Sequence, residues 1–342
     1  MKHNKQKKLT LTRICMMILC TLISLIILVV GGFIIVDRVR HGSFYKDAAR
    51  EFTIPGLSDN YTPQGFDYLA EQDIFLCCGY MSDGTASRIY TVDKDYQSSA
   101  PITIKNADGS DHLGHAGGIT AFPGTDHVYL ASDGCLHRLS LADILDGDGV
   151  VTIKEDLFVM LEPAYCTVYG NDLYVGSYYY PEKYETPESE RYVTPAGDQN
   201  YALLAIYPLD PDTGKLLTDK PDTLVSTCGM VQGMAFADAD TMILSTSWGL
   251  STSHLYCYDL TKLDPAQSGT YTFSDGSQIP IFFLDSTVCY ADIIAPCMAE
   301  ELVVRDGRVY IMNEAASNKY IFGKLLGAQR LYSYPVPVNE EP

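Results

Sequence analysis

The chain has 342 residues, of which 46% are apolar and 20% are charged, so it is long enough for one large or two modest globular domains and too apolar to be disordered throughout. Its formal net charge is −19, and the residues after position 44 carry 17 basic and 42 acidic side chains, a net charge of −25. A domain this acidic repels nucleic acid and attracts cations, basic peptides or cationic polymers, so we expect no nucleic acid partner.

Residues 14–36 form an uncharged apolar segment of 23 residues, long enough to cross a bilayer as a helix. Four lysines and Arg13 precede it, whereas Arg38 and Arg40 follow it, and this excess predicts a cytoplasmic N-terminus. No small-residue cleavage site accompanies the apolar run, so we expect a retained signal anchor. The predicted organisation is a cytoplasmic basic tail (1–13), a transmembrane signal anchor (14–36), a connector (37–50) and an extracytoplasmic domain (51–338) at the cell membrane.

Short strand patterns separated by Gly, Asp and Asn turns fill the rest of the chain. A first short run, EFTIPG (51–56), has no partner nearby. Four full units follow, each with a small-residue strand, an apolar strand, an aromatic-rich strand and an edge strand. They cover 62–105, 115–159, 164–227 and 231–284, and a fifth unit at 298–338 stops one strand short.

Repeats of this length, each making four short antiparallel strands, are typical of a β-propeller. We therefore predict an all-β fold, a β-propeller of five four-stranded blades preceded by one transmembrane α-helix. The run 51–56 is expected to supply the missing outer strand of the fifth blade and to close the ring. The alternative is six blades, since 289–297 and the linker before the fourth unit could hold further strands.

Three other features bear on the architecture. Residues 181–200 are polar and predict an exposed loop without strands, which together with the tyrosines 178–180 could serve as a lid or contact surface. The best further helix candidate is 320–328. The ten cysteines have no CxxC spacing, which favours isolated buried thiols, although one or two disulfides such as Cys166–Cys228 suit an extracytoplasmic domain.

The innermost strands of a propeller line its central channel, and their first residues face a common entrance. Alignment of the units places Gly117 and a residue near Tyr165 at this entrance together with several polar side chains, a concave set that suits a ligand or a metal. Polar residues that only solvate the channel and bond the neighbouring blade explain the same pattern. The predicted ligand-binding residues are Gln64, His115, Gln232, Glu300, Glu301 and Tyr179.

The segments QGF (64–66), HAGGIT (115–120), VQGMAFAD (231–238) and MAEELVVRDGRVYIMN (298–313) resemble the plant- and bacterial-type glutaminyl-peptide cyclotransferases. That family comprises five-bladed propellers that convert an N-terminal glutamine into pyroglutamate without a metal. The resemblance spans about residues 62–313.

The resemblance also implies candidate catalytic residues. The second-blade motif of the family, in the manner of F-G-E-G, carries an acid thought catalytic, and Gly117 stands at that place here. Glu301 matches the acid of the family's N-E-L-E-like motif, Asn313 matches the asparagine that follows, and His115 is a substitute proton-transfer group. The candidates are thus His115, Glu301 and Asn313. Since cyclisation needs a proton-transfer group, the missing central acid means that the resemblance supports the fold more than the reaction.

Two further patterns suggest other chemistry. Residues 146–155 resemble part of a calcium loop, with Asp146, Asp148 and Glu155 as ligands, so Ca²⁺ is a candidate cofactor; an Asp/Gly turn between strands explains the same residues. The histidines at 112 and 115, after Asp111, suggest a hydrolase, but no nucleophile motif accompanies them.

The sequence therefore predicts a cell-surface propeller that binds a ligand or partner at its channel mouth, either an envelope peptide, a polymer or a protein. The alternative is an enzyme on the same channel, either an acyl-transfer cyclase or a calcium-dependent hydrolase or lactonase.

Overall fold

The structure, a computed structural model, describes residues 2–339, with side chains from residue 12 onward. Residue 1 and the side chains of residues 2–11, which belong to the predicted basic tail, lie outside this described part. The chain begins with a long helix, α1 (Lys2–Arg40), followed by a short one, α2 (Gly42–Asp47). Within α1, Thr12–Arg40 is the one helix of the described residues that is long and apolar enough to cross a membrane. A helix with these properties is a candidate membrane anchor or signal sequence.

The remainder of the chain is mostly β-sheet, interrupted by two more short helices, α3 (Leu141–Asp146) and α4 (Ile321–Leu326). In chain order the strands are β1 (Ala49–Thr53), β2 (Tyr61–Leu69), β3 (Ile74–Met81), β4 (Arg88–Val92), β5 (Ile102–Lys105), β6 (Gly118–Ala121), β7 (His127–Ser132), β8 (Cys135–Ser140), β9 (Val150–Thr152), β10 (Glu155–Leu157), β11 (Tyr165–Tyr169), β12 (Asp172–Gly176), β13 (Tyr192–Val193), β14 (Gln199–Asn200), β15 (Ala202–Pro208), β16 (Thr223–Thr227), β17 (Val231–Asp238), β18 (Thr241–Thr246), β19 (Ser253–Asp259), β20 (Gly269–Thr272), β21 (Gln278–Phe283), β22 (Cys289–Ala295), β23 (Ala299–Arg305), β24 (Arg308–Asn313) and β25 (Arg330–Pro335).

These strands form five blades, which confirms the predicted five-bladed propeller. From the channel outward the blades are β2-β3-β4-β5, β6-β7-β8-β10, β11-β12-β15-β16, β17-β18-β19-β22 and β23-β24-β25-β1. The fifth blade is completed by β1, which pairs with β25 in the register Ala49↔Ser333. The closing strand begins at Ala49, two residues before the predicted run, inside the segment predicted as a connector.

The outer edges of the blades differ from the sequence prediction. The segment 289–297, proposed as a source of a sixth blade, instead contains β22, the outer strand of the fourth blade. The strand β21, predicted to be that outer strand, pairs in parallel with β16 of the third blade, and β9 pairs in parallel with β5 of the first blade. Two blades are thus extended by strands that come from the following unit, so each extension ties neighbouring blades together.

The prediction for the segment 181–200 needed correction, whereas the free thiols that the cysteine spacing favours agree with the structure. The segment 181–200 is not a wholly exposed loop, because β13 and β14 form a hairpin within it and Thr186, Glu190, Thr194 and Asn200 are buried. Their side chains bond to the backbone or to Ser177, as the 2.6 Å Ser177–Glu190 bond illustrates. The ten cysteines are all free thiols, so Cys166 and Cys228 do not form a disulfide in this structure.

Polar side chains near the channel axis connect consecutive inner strands. Asp67 of the first blade accepts a 2.7 Å bond from the backbone N–H of Ala121, and Thr120 of the second accepts one from Val168 at 2.9 Å. The hydroxyl of Thr167 in the third blade then donates to the carbonyl of Met234 in the fourth. The fifth blade bonds the same residue, since Glu301 accepts from the N–H of Met234 at 2.8 Å.

Candidate functional site

The site is built at the end of the propeller where the inner strands β2, β6, β11, β17 and β23 begin, which we call the mouth face. Three of these strands have a shift of register near their start, between Pro63 and Phe66, between Val231 and Gly233, and between Ala299 and Leu302. A β-bulge of this kind re-aims a side chain. The shifts put Gln64, Gln232 and Glu300 at equivalent positions, in the alignment that the sequence predicts.

Glu300 carries the most unusual carboxyl group at the mouth face. It is only 2% exposed, and its Oε1 has no hydrogen-bond partner among the described residues. Burial raises the pKa of Glu300 well above its usual range, and the nearby carboxyl groups of Glu314 and Glu301 raise it further. A carboxyl group held in this way stays protonated to a higher pH than an exposed one, and a nearby cation favours its ionised form.

Tyrosines and a lysine surround the second acid of this pair, Glu314. Its Oε1 accepts hydrogen bonds from the hydroxyl groups of Tyr80 at 3.1 Å and Tyr320 at 3.0 Å. The Nζ of Lys319 donates to the Tyr80 hydroxyl at 2.6 Å. We call Tyr80, Glu300, Glu314, Lys319 and Tyr320 the acid cluster; it combines two carboxyl groups with one cation, so a further cationic group can be accommodated.

Glu301, the next residue along the chain, is fully buried and faces the interior of the ring. Its Oε1 accepts bonds from the N–H groups of Met234 at 2.8 Å and Leu302 at 3.4 Å, while its Oε2 has no partner among the described residues. Burial raises the pKa of Glu301 well above its usual range, against the effect of these two bonds. Asn313 also bonds nearby backbone groups, because its side-chain amide accepts a hydrogen bond from the N–H of Ala315 and donates one to the carbonyl of Cys297.

The other predicted residues are placed around the acid cluster. The ring of His115 packs on Tyr80 with centroids 4.6 Å apart, and its imidazole is exposed with Nδ1 at 3.7 Å from Asp133. Gln64 is buried and donates to the carbonyl of Pro63, whereas Gln232 is half-buried. His115 and Glu300 are thus brought to the same mouth, while Glu301 and Asn313 bond backbone groups.

An aromatic cleft adjoins the acid cluster between the third and fourth blades. Its volume is about 640 Å³, and its walls include Tyr179, Tyr180, Tyr201, Trp248 and Tyr256. Tyr180 stacks on Trp248 with ring centroids 3.9 Å apart, and Tyr179 stacks on Tyr201 at 4.6 Å. The sequence indicates the tyrosines 178–180 but not Trp248 or Tyr201, although the only tryptophan of the chain directly follows an apolar strand at the mouth end.

Tyr178 connects the cleft with the acid cluster. Its hydroxyl donates to the carbonyl of Ser247 at 3.2 Å, in the loop that carries Trp248. Burial raises the pKa of Tyr178 above its usual range, and the charge of Glu300 adds to that shift. Tyr178 therefore lies between the aromatic walls and the two acids.

The predicted calcium ligands do not come together among the residues that the structure describes. Asp146 is the last residue of α3, and Glu155 lies on β10, where it forms a 3.3 Å ion pair with Arg138. Among residues 12–339, one other group could hold a metal. It is formed by Cys135, His137 and Asp156, whose ligand atoms lie within 4.8 Å of one another on the outer strands of the second blade.

The predicted hydrolase pattern lies beside that group. His112 is buried and bonds Asn106 at 3.0 Å and Ser132 at 2.9 Å through its two ring nitrogens. Asp111 forms an ion pair with Lys105. The hydroxyl of Ser132 is itself buried and also accepts a bond from the N–H of Ala116, so this Ser–His–Asn arrangement fixes the turn and presents no exposed nucleophile.

No family model and no curated protein matches this chain. Among solved structures, it is similar to the glutaminyl cyclase of Myxococcus xanthus, with 10% identity, 84% of this chain and 94% of that chain covered, and a TM-score of 0.43. It is also similar to the PQQ-bound aldose sugar dehydrogenase of Streptomyces coelicolor, with 14% identity, 78% of each chain and a TM-score of 0.42. A third is the RRP9 WD40 repeats, with 9% identity, 85% and 97% coverage and a TM-score of 0.40. Enzymes and WD40 repeats are similar to this chain to nearly the same degree, so these comparisons select no activity.

Proposed function

We propose that this chain is a cell-surface propeller that binds a ligand carrying an amine at its mouth face. The observation that carries the proposal is the buried carboxyl group of Glu300, which has an unpartnered oxygen and lies beside a second acid, Glu314. A buried polar oxygen without a partner costs free energy, and a bound ammonium group would satisfy it. The ammonium would also favour ionisation of Glu300, since an opposite charge nearby lowers the pKa of a carboxyl group.

The aromatic cleft supports the same class of ligand. Faces of Tyr and Trp rings attract cations and also cover apolar or planar groups. Lys183 already illustrates this attraction, because its Nζ lies 4.6 Å from the Trp248 ring centroid. Basic peptides and amine-bearing polymers of the cell envelope combine cationic groups with apolar or sugar surfaces that such a cleft can cover.

We further propose that the site is displayed outside the cell. The support is the apolar helix Thr12–Arg40 together with the lysines that precede it in the sequence, since positive residues favour the cytoplasmic side. The helix then acts as a retained anchor and the propeller faces the envelope.

The sole tryptophan provides a direct test. Trp248 lines the cleft, so its fluorescence should report occupancy when full-length protein in detergent is titrated with a trilysine peptide or with glucosamine. We expect binding of the amines and at least about tenfold weaker binding of their N-acetylated forms, because the charge-assisted bond is lost. Glu300→Gln should remove this preference, whereas Glu188→Gln, an isosteric change at an exposed mouth-face residue, should keep it. Equal affinity for free and acetylated amines in the unsubstituted protein would reject the proposal.

A second candidate function is acyl-transfer catalysis by Glu300. Glu300 has a raised pKa and lies beside Glu314, which accepts a bond from the Tyr80 hydroxyl, and an acid in such surroundings suits proton transfer. The test is conversion of Gln-initiated peptides in the presence of EDTA, with Glu300→Gln and Glu188→Gln compared. Turnover that depends on Glu300 would establish catalysis, and no turnover at high enzyme concentration would leave binding as the function.

A further inference from the structure

We infer that the mouth face of the propeller lies on the surface of the bilayer that holds α1, with α4 at the edge of the hydrocarbon. The inference rests on the proposed anchoring of α1 and adds which face of the propeller meets the lipid. It would place the acid cluster and the aromatic cleft next to the lipid headgroups.

The first observation is the place where α1 joins the propeller. Arg38, near the end of α1, donates through Nη2 to the carbonyl of Leu326 at 2.9 Å, and the Nε2 of His41 lies 3.4 Å from the Thr252 hydroxyl. Leu326 belongs to the loop between β24 and β25, and Thr252 to the loop between β18 and β19. Because β18 and β24 run antiparallel to their inner strands, both loops are at the mouth face. The helix therefore leaves the propeller from this face.

The junction is also well fixed. Asp37 and His41 are buried, and the Nδ1 of His41 lies 2.9 Å from Asp37. The Tyr45 hydroxyl donates to the other Asp37 oxygen at 2.8 Å, and the guanidinium of Arg38 lies 3.7 Å from the Tyr45 ring centroid. A junction with several buried contacts holds the direction of the helix relative to the mouth face, so the orientation of the propeller follows from that of the helix.

The second observation concerns the depth of α4. The helices α1 and α4 are in contact, and residues 30, 31, 33 and 34 of α1 are half-buried, whereas 12–29 are exposed. These half-buried residues belong to the uncharged segment 14–36. With a rise of 1.5 Å per residue, residue 34 lies about 6 Å beyond Arg38 along the helix axis. The short helix α4 is therefore level with the last turns of the membrane-spanning segment.

The third observation is the apolar surface around this junction. Ile321 of α4 is 76% exposed and Leu250, in the neighbouring loop of the fourth blade, is 60% exposed. Exposed apolar residues that concentrate on one face mark a protein or membrane contact. Others at the mouth face are Leu113, Phe158, Val193 and Leu325.

Basic residues flank the apolar ones, as expected at a membrane boundary. Lys324 ends the first turn of α4 and Arg40 is the last residue of α1, while Lys319 and Arg38 next to them bond Tyr80 and Leu326. Long basic side chains place their stems against apolar groups and their charges among the headgroups. The apolar residues, the flanking cations and the adjoining membrane span all suit contact with lipid. We therefore take lipid as the partner of this surface.

Quenching by brominated lipid tests this arrangement in the full-length chain. In a Trp248→Phe background, single tryptophans are introduced by Ile321→Trp, Leu250→Trp and Leu217→Trp, and the protein is placed in nanodiscs of phosphatidylcholine with or without acyl-chain bromine. Leu217 is the matched control, an exposed leucine at the opposite face between β15 and β16. We expect at least about twofold quenching at 321 and 250 and none at 217, because bromine quenches only near the hydrocarbon. Leu325→Trp replaces the Ile321 variant if that protein does not fold.

A tryptophan within α1 distinguishes the anchoring of α1 in the membrane from the placement of the mouth face on the bilayer. Leu28→Trp should be quenched if α1 is inserted; no quenching there would overturn the anchoring and this inference together. Quenching at 28 without quenching at 321 and 250, or with equal quenching at 217, would overturn the inference and leave the anchoring intact.

Discussion

Glu300 and Glu301 are neighbours in the sequence, yet their carboxyl groups lie in different environments. The bulge between Ala299 and Leu302 allows both residues to lie opposite the same stretch of β24. One oxygen of Glu301 accepts a bond from the N–H of Met234 in the fourth blade, whereas Glu300 lies beside Glu314; each of the two acids also has one buried oxygen without a partner among the described residues. The geometry therefore favours Glu301 as a brace between blades. Glu300 is the acid that we propose for ligand binding, and the expectation that Glu301 is catalytic stays a prediction.

The brace can be tested by comparing two substitutions of Glu301. Glu301→Ala should lower the free energy of unfolding by about 3 kcal/mol, because it leaves a cavity and an unsatisfied Met234 N–H. Glu301→Gln should cost less than about 1 kcal/mol, since its amide oxygen can accept the same bond. Chemical unfolding of the detergent-solubilised chain measures both. Equal losses for the two variants would indicate that the negative charge, rather than the bond, matters.

The pH dependence of ligand binding tests the role of Glu300. Its raised pKa keeps the carboxyl group protonated at low pH, so an ammonium group meets a neutral acid there. As pH rises through that raised pKa the carboxylate forms, and affinity for an amine should increase until the amine itself loses its proton. Trp248 fluorescence titrations across pH measure the affinity. Glu300→Gln should give a flat profile over the same range, and a profile that falls with pH in the unsubstituted protein would contradict the assignment.

The sequence predicts the inner parts of this fold much better than its edges. Alternation and turn residues reveal β2, β3 and β4, and the same pattern recurs because every blade must bury the same face. A strand pattern does not specify its partner, so the parallel pairings of β9 and β21 with preceding blades could not be read from it. The helices α2 and α3 have only six residues each, too few for a helical periodicity to show.

For the candidate site, the sequence predicted the residues on the inner strands but not those in the loops. Gln64, Gln232 and Glu300 could be aligned because they stand at the same place in their strands. Glu314 and Tyr320 lie in the long loop between β24 and β25, and Trp248 in the loop between β18 and β19. Residues in these loops come together only because the blades are arranged in a ring, and the pattern of one repeat does not show that arrangement.

Asp67 should make the stability of the propeller depend on pH. Burial raises its pKa to about 6, although bonds from Ala121, Tyr68 and Thr120 oppose this shift. The folded state then binds more protons than the unfolded state between about pH 4 and 6, so stability falls as pH rises through this range. The contribution of Asp67 is at most about 3 kcal/mol, from its shift relative to an ordinary Asp.

Unfolding at pH 4.5 and pH 7.5 measures this contribution when Asp67→Asn serves as the reference that cannot titrate. The stability of the unsubstituted chain relative to Asp67→Asn should be greater at the lower pH. An unchanged difference between the two proteins at both pH values would show that the carboxyl group titrates normally.

Closure of the ring should depend on Phe52 of β1. This residue is 2% exposed, and its ring lies 5.3 Å from that of Phe75 and 6.5 Å from that of Phe66, both in the first blade. Since β1 is hydrogen-bonded to β25 of the fifth blade, Phe52 packs the last blade against the first. Phe52→Ala should lower the free energy of unfolding by about 3–5 kcal/mol, the usual cost of truncating a buried phenylalanine.

Phe158→Ala, at a position that is 87% exposed, is the matched control and should change the free energy of unfolding by less than about 0.5 kcal/mol. Hydrogen exchange should also accelerate first in β1 and β25 of the Phe52 variant, because the seam opens before the other blades. Uniform acceleration in all five blades would mean that the ring unfolds as one unit and that β1 does not close a separable seam.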